Sequence, residues 1–314
     1  MIKDQINQDL LKLAERSDEV LADIYRRIDQ VCMYNSDRIL SAFIENKVSY
    51  SDFSDINGYG NYDAGRDKLE KMFADVLGCE DALVRPQIMS GTNALFLTFS
   101  ALLKHGDTMI SLTGTPYDSL QEMIGLTGDS AQSLKAHGVR YEQIDLVNDE
   151  FDEETIVSRL KEGNVRLVEI QRSRGYSSRA SLCIAKIGHL IQKIREVNKD
   201  VIIMVDNCYG ELVEEREPGH VGADVGGFPH EEPRRRHRFH GRLYCRQKGP
   251  GIYHCGTADR SRHRQGTRCE LQSEQFLLQR AVRSSRRSQE RDENSCLRFM
   301  DAGTAGIPQC ITEV

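Results

Sequence analysis

The sequence predicts an α/β fold, a mostly parallel sheet with helices on both faces, and three observations carry that expectation. The run Val201-Ile202-Ile203-Met204-Val205 is continuously apolar and mostly β-branched, the composition of a strand buried on both faces. It runs straight into Asp206-Asn207-Cys208-Tyr209-Gly210, so an acid stands at the strand's C-terminal end, where open α/β sheets hold their ligands. The same acid could equally cap the next turn. Finally, short apolar runs alternate with amphipathic segments from the N-terminus to this strand, which is the pattern of a parallel sheet with crossover helices.

Taken in order, residues 2–46 read as helix, with Ile6, Leu10, Leu13, Val20, Leu21, Ile24, Ile28 and Val31 at three- and four-residue steps. A second short helix is expected around Asp37–Asn46. Such an arm can pack on a partner subunit or on its own domain. The segment Gly58-Tyr59-Gly60-Asn61-Tyr62-Asp63-Ala64-Gly65-Arg66 is a loop whose glycines permit close backbone approach, and whose tyrosines and arginine suit an anion. Asp67–Leu77 reads as helix. Ala82–Arg85 is a short strand, and Met89-Ser90-Gly91-Thr92-Asn93-Ala94 then opens a helix reaching Leu103. Small residues at a helix N-terminus leave free N–H groups for a phosphate, although Ser-Gly-Thr is also an ordinary cap. Thr108–Leu112 is a strand, followed by the loop Thr113–Tyr117 and a short helix over Asp118–Leu126. Gly138–Leu146 is a strand and Glu153–Glu162 a helix. Val165–Gln171 is a strand ending in Gln171-Arg172-Ser173-Arg174, and Ile184–Asn198 is a helix leading into Val201.

The totals bound the class. With 314 residues, 39% of them hydrophobic, and a formal charge of -6, the chain can form one large α/β domain plus a smaller piece. No apolar run approaches the roughly 20 residues of a membrane span. The N-terminus lacks the apolar core of a signal peptide. Nine scattered cysteines do not form a secreted disulfide framework, which makes a reducing cytoplasm the expected location. The averages conceal a break, however. Residues 1–222 carry 11 Lys and 14 Arg against 37 acids; residues 223–314 carry 1 Lys and 16 Arg against 11 acids, with five of the nine Cys and five of the nine His.

Several stretches agree in order and spacing with one family: Gly58–Arg66, RPQIMSGTNA over Arg85–Ala94, GTPYDSL over Gly114–Leu120, QRSRGY over Gln171–Tyr176 and VDNCYGE over Val205–Glu211. Together they resemble a fold-type-I pyridoxal-phosphate (PLP) enzyme of the cysteine/methionine metabolism group. The resemblance is to its methionine gamma-lyase-like branch, often labelled aluminium resistance protein, and it covers residues 1 to about 224. It implies a PLP-dependent transferase-like large domain and an obligate homodimer or homotetramer. It also implies roles for particular residues. Gly91 and Thr92 bind the cofactor phosphate through backbone N–H groups, with Ser90 beside them, and Tyr117 stacks on the pyridine ring. Asp206 pairs with the pyridine nitrogen. Tyr62 and Arg66 reach the phosphate of a neighbouring subunit, and Gln171, Arg172 and Ser173 face the same crevice. Asn93 stands where the family has histidine.

The family's Schiff-base lysine should follow the Asp-bearing strand by about two dozen residues, in a segment resembling SLMKNPGGGI. Here that segment reads Phe228-Pro229-His230-Glu231-Glu232-Pro233-Arg234-Arg235-Arg236-His237, with no lysine before Lys248. Taking the last two bases of each codon with the first of the next allows Ser, Leu, Met, Lys, Asn, Pro, Gly, Gly, Gly and Ile in that order. Lysine then falls across Glu231 and Glu232. The shifted reading continues as ASTGGYIAGRK over Arg238–Lys248. Residues from about 225 onward are therefore read as an out-of-frame translation of the family's C-terminal half, in which Gly and Ala codons have turned into Arg and Cys codons.

The expected organisation is an N-terminal helical arm over 1–50, an incomplete PLP-binding large domain over 51–224, and a poorly ordered out-of-frame tail over 225–314. The C-terminal small domain is absent or garbled. The expected function is that of a PLP-dependent carbon–sulfur lyase-like protein acting on a sulfur amino acid, inactive as written. Another PLP activity on the same fold, aminotransferase-like, is the enzyme alternative. A remnant with a basic nucleic-acid-binding tail is the non-enzyme one. Against the latter, the tail's arginines are not interleaved with aromatic residues, and its Cys and His lack zinc-binding spacing.

Overall fold

The computed structural model describes residues 7–53, 63–85, 88, 90–228 and 242–245. It opens with one 38-residue helix, α1 (Gln8–Glu45), capped by Asn7, whose side chain accepts from Asp9 N. The break expected near Asp37 does not occur. Asn35 is buried within the helix, and its amide donates to Leu212 O (3.0 Å) and Glu214 O (3.1 Å). Polar residues that read as a boundary thus serve a distant contact. A 3-10 turn (Tyr50–Phe53) follows. Helix α2 (Ala64–Leu77) begins at Asp63, which accepts from Arg66 N, and stops at Gly78 in the left-handed region (φ 72°). A side chain at Gly78 would also strike the His220 ring, so glycine is required there.

Up to β5 the remaining elements alternate as the sequence predicts: β1 (Asp81–Val84), α3 (Gly91–Leu102), β2 (Thr108–Ser111), α4 (Asp118–Ile124), β3 (Arg140–Gln143), α5 (Glu153–Lys161), β4 (Leu167–Gln171), α6 (Ile184–Val197) and β5 (Ile202–Asp206); two strands that the sequence does not predict follow, β6 (Val225–Phe228) and β7 (Arg242–Cys245). Among the described residues the sheet has seven strands in the order β1-β7-β6-β5-β4-β2-β3. The pairs β3–β2, β2–β4, β4–β5 and β5–β6 are parallel, while β6–β7 and β7–β1 are antiparallel.

Two faces of the sheet are covered, as a parallel sheet requires. On one, Ile110, Leu112, Val168, Ile170, Ile203 and Val205 pack against α5 and α6 through Ile156, Leu160, Ile187, Leu190, Ile191 and Ile194. On the other, Met109, Leu167, Ile202, Met204 and Val225 pack against Leu95, Phe99 and Leu102 of α3 and Leu120 and Ile124 of α4. Complete burial of each such side chain contributes roughly 1.5–3 kcal/mol. A third cluster joins Ile39 and Ala42 of α1 to Leu69, Met72, Val76 and Leu77 of α2 and Ala82 and Val84 of β1. The C-terminal half of the helical arm therefore packs on its own domain. Leu10, Leu13, Val20, Met33, Leu40 and Ile44 remain exposed along α1.

The sheet runs past residue 224, taking in β6 and β7 from the segment expected to be garbled. A ladder is built by backbone N–H and C=O groups, which every residue but proline supplies in full. A strand can therefore complete a sheet whatever its side chains encode.

Candidate functional site

The C-terminal ends of β2, β4 and β5 and the N-terminus of α3 bring several expected residues together. Ser90 is the N-cap of α3, in extended conformation, and its Oγ accepts from Asn93 N (3.1 Å). Gly91 and Thr92 are the first two helical residues, where backbone N–H groups have no partner inside the helix. The Tyr117 hydroxyl, at the start of α4, donates to Thr92 Oγ1 (3.3 Å). Thr92 Oγ1 also lies 3.3 Å from Ser119 Oγ. Asp206, at the last position of β5, is 1% exposed, and its Oδ1 accepts from Cys208 N (3.0 Å). Burial, and after it the Asp206 charge, hold the Tyr117 phenol well above its ordinary value, while the bond to Thr92 pulls the other way. Tyr117 thus bonds to Thr92 and lies within electrostatic reach of Asp206. Replacing Ser90 with Ala should cost about 1 kcal/mol through loss of the cap, read as a lower urea midpoint at unchanged slope.

Four expected residues lie elsewhere or have other partners. Arg172, expected to face the crevice, is buried on the opposite side of the strand end. Its Nη1 donates to Asn207 Oδ1 and Gly210 O (both 2.6 Å), Nη2 to Glu214 Oε1 (2.5 Å) and Nε to Leu182 O (3.3 Å). The physical reason is strand alternation, which sends Arg172 to the face opposite Gln171. Gly210 makes room for this arrangement: a Cβ there would lie 2.4 Å from Asn207 Oδ1 and 2.6 Å from Arg172 Nη1. Arg66 stands in the first turn of α2, 3.5 Å from Asp63 and 3.9 Å from Asp67. Gln171 is the register partner of Asp206; its Nε2 donates to Ser173 O (3.0 Å), and its N–H donates to Thr113 Oγ1 (3.1 Å). Ser173 is held in the same bend by Arg179, whose Nη2 donates to Gln171 O (2.7 Å) and Ser173 O (2.6 Å). Tyr62, Glu231 and Glu232 lie outside the described residues.

Sequence reading missed Glu169. It sits in the middle of β4, fully buried, on the same face as Gln171. Ser111 Oγ stands 2.8 Å from Glu169 Oε2 and 2.8 Å from Gly114 O. Burial first, then the Asp206 charge, push the Glu169 carboxyl up to about 8, against the pull of Ser111 and Arg179. Burial likewise pushes Asp206 up to about 7, with Glu211 adding to it and the Cys208 N–H opposing. An acid interrupting the apolar run Leu167-Val168-Glu169-Ile170 was the available signal.

The Escherichia coli protein YhfS, described as PLP-dependent, superimposes with a TM-score of 0.61 at 16% identity, covering 88% of this chain and 70% of that one. The two proteins thus share a fold. The chain belongs to the methionine gamma-lyase family, whose model matches residues 10–227. A Clostridium acetobutylicum structure, named as a candidate cystathionine beta-lyase involved in aluminum resistance, is 34% identical with a TM-score of 0.78, covering 90% of this chain and 69% of that one. A carbon-sulfur lyase involved in aluminum resistance from Clostridium novyi NT is 32% identical with a TM-score of 0.75, covering 89% and 68%. The uncharacterized protein YnbB of Bacillus subtilis (strain 168) is 41% identical over 217 residues, which are 69% of this chain. That match spans about half (52%) of the Bacillus protein.

Proposed function

We propose that the described domain is the cofactor-binding part of a PLP-dependent lyase acting on the carbon–sulfur bond of a sulfur amino acid. The observation that carries the reading is a buried acid, Asp206, at the end of β5, within electrostatic reach of the tyrosine that bonds to the first turn of α3. The residues fit the group. The N–H groups of Gly91 and Thr92, with Ser90 beside them, suit a phosphate. Tyr117 supplies an aromatic face, and Asp206 suits a protonated ring nitrogen. When bound, PLP supplies an electron sink for carbanion chemistry. Gln171 and Ser173 line the strand ends beside it. Tyr62 and Arg66 serve the phosphate of a neighbouring subunit in a homodimer or homotetramer. The exposed apolar residues of α1 support such an assembly. No described helix is long and apolar enough to cross a membrane, and the working location is the cytoplasm.

The segment from about residue 225 is an out-of-frame translation, and the protein as written lacks the lysine that bonds the cofactor. The family match ending at residue 227 supports this. The coding DNA compared in all three frames decides it; an intact frame with no alternative reading near codon 225 refutes it.

Asp206→Asn tests the cofactor reading. Absorbance titration with PLP should show at least about tenfold weaker binding, a difference of about 1.4 kcal/mol. Misfolding is separable by stability. A folded-state acid raised to about 7 contributes stability that is full below its unfolded value and is lost as pH rises through 7. The amide of the variant keeps an acceptor for Cys208 N–H without that loss, so the variant should be the more stable protein above pH 7. Equal PLP affinity in the two proteins would refute the assignment.

A further inference from the structure

We propose that Glu169 is a positioning residue held as a neutral carboxylic acid behind Asp206, so that the buried pair carries a single negative charge and that charge resides on Asp206. The inference rests on the PLP reading for its purpose, though not for its geometry.

The first argument is a proton count. Ser111 Oγ has two oxygen neighbours at 2.8 Å, Gly114 O and Glu169 Oε2, and also bonds the Tyr141 hydroxyl, which carries a proton of its own, but a serine hydroxyl has one proton to donate. A backbone carbonyl can only accept, so that proton belongs to the Gly114 contact. The second contact then requires the proton to come from Glu169, whose Oε2–H donates to Ser111 Oγ. The other carboxyl oxygen agrees. Glu169 Oε1 is buried and has no hydrogen-bond partner among the described residues. An unpaired carbonyl oxygen in that position costs far less than an oxygen bearing part of a full charge.

The second argument is the neighbourhood. Glu169 and Asp206 point to the same side of adjacent parallel strands; Glu169 pairs in register with Met204, and Gln171 with Asp206. Two buried carboxylates so placed cannot both ionise without large cost. The groups facing Glu169 from the packed elements are Asp206 on β5, Ser111 on β2, Tyr141 on β3, Tyr117 at the start of α4 and Arg179 on the connection to α6. Arg179 is the one cation among them, and its bonds go to the carbonyls of Ala180, Gln171 and Ser173. Of the pair, Asp206 is at the strand end and accepts a backbone N–H, so it is the member able to hold the charge. A ring nitrogen opposite Asp206 then meets one anion rather than two competing ones.

The test is a pair of measurements on the full chain without cofactor. Isotope-edited infrared spectra of glutamate-labelled protein at about pH 7.5, above the value of about 7 to which burial raises Glu217, should show a protonated-glutamate band that is lost in Glu169→Gln. Thermal unfolding should be followed from pH 4 to 9.5. An acid raised to about 8 in the fold, against about 4.3 unfolded, contributes stability that is full below the unfolded value and lost as pH rises through 8. Glutamine mimics the neutral acid, so Glu169→Gln should match the parent at the acid end. It should then gain several degrees over it by pH 8 and hold that gain. A fall in melting temperature of similar size at all pH values, with no protonated glutamate in the spectrum, would overturn the proposal. So would a spectrum of the parent protein alone without that band, which covers a variant that fails to fold. PLP titration of Glu169→Gln at pH 7 should stay within about twofold of the parent, where Asp206→Asn loses tenfold. Failure of PLP to bind either protein would sink the cofactor reading and leave the proton assignment standing on the spectra.

Discussion

Incubated with PLP and reduced with borohydride, the 314-residue chain is expected to carry no cofactor on any lysine, and to release no keto acid from methionine or cysteine. A gene in which the proposed frameshift near codon 225 is reversed is expected to do both. In the family, one lysine bonds the cofactor and moves the α-proton. Where it should stand, this chain has Glu231 and Glu232, which are not amines and which repel a phosphate. Other lysines are poor substitutes. Lys186 is ion-paired with Glu150, Lys193 lies within α6, and Lys199 follows it. Loss of a group that acts as nucleophile and base together removes on the order of 10⁴-fold or more of the rate, because the two roles are not additive. Mass spectrometry of the reduced protein gives the answer. A borohydride-fixed adduct on one defined lysine, accompanied by turnover, would show that the catalytic residue lies elsewhere.

Arg172→Met should destabilise the domain by about 3 kcal/mol, near the lower end of what removing one partner of a buried ion pair costs. The guanidinium is 4% exposed while Glu214, its partner, is 22% exposed, so part of the charge left behind can be hydrated. The rest of the loss comes from acceptors stripped of their donor: Gly210 O, Leu182 O and Asn207 Oδ1. These sit on the connection after β4 and the turn after β5, so one side chain fixes both loops at the sheet's C-terminal edge. The check is a urea titration, with the midpoint falling and the slope unchanged. A midpoint that does not move would mean that the network is replaceable by packing alone.

Much of this fold was legible because a parallel sheet writes itself as unbroken apolar runs. Val201–Val205 and Val165–Gln171 became β5 and β4, and Asp206 and the Ser90–Thr92 turn came out at neighbouring strand and helix ends. Three things were not legible, each for a physical reason. The second helix expected around Asp37–Asn46 is a continuation of α1, and the buried Asn35 before it has its partners, Leu212 and Glu214, far away in the chain. Arg172 reads as a crevice residue because it adjoins Gln171, yet alternation along the strand turns it to the other side. β7 has no periodic signature, since its place in the sheet depends on backbone alone.

That last strand carries a consequence for biosynthesis. β1 and β6 do not pair with each other; each pairs with β7. Asp81 and Cys245 are register partners, roughly 160 residues apart, a closure whose entropic cost grows only slowly with length but which delays folding. On the ribosome, β1 and the helices packed on it must wait as an open edge until residue 245 has left the exit tunnel, at about 5–20 residues per second. A nascent chain halted before that point would present two unpaired strand edges, and strand edges are where one chain captures another. Ribosome-bound chains stopped with β6 outside the tunnel and β7 still within it should therefore differ from chains stopped at residue 290 in chaperone retention and protease resistance.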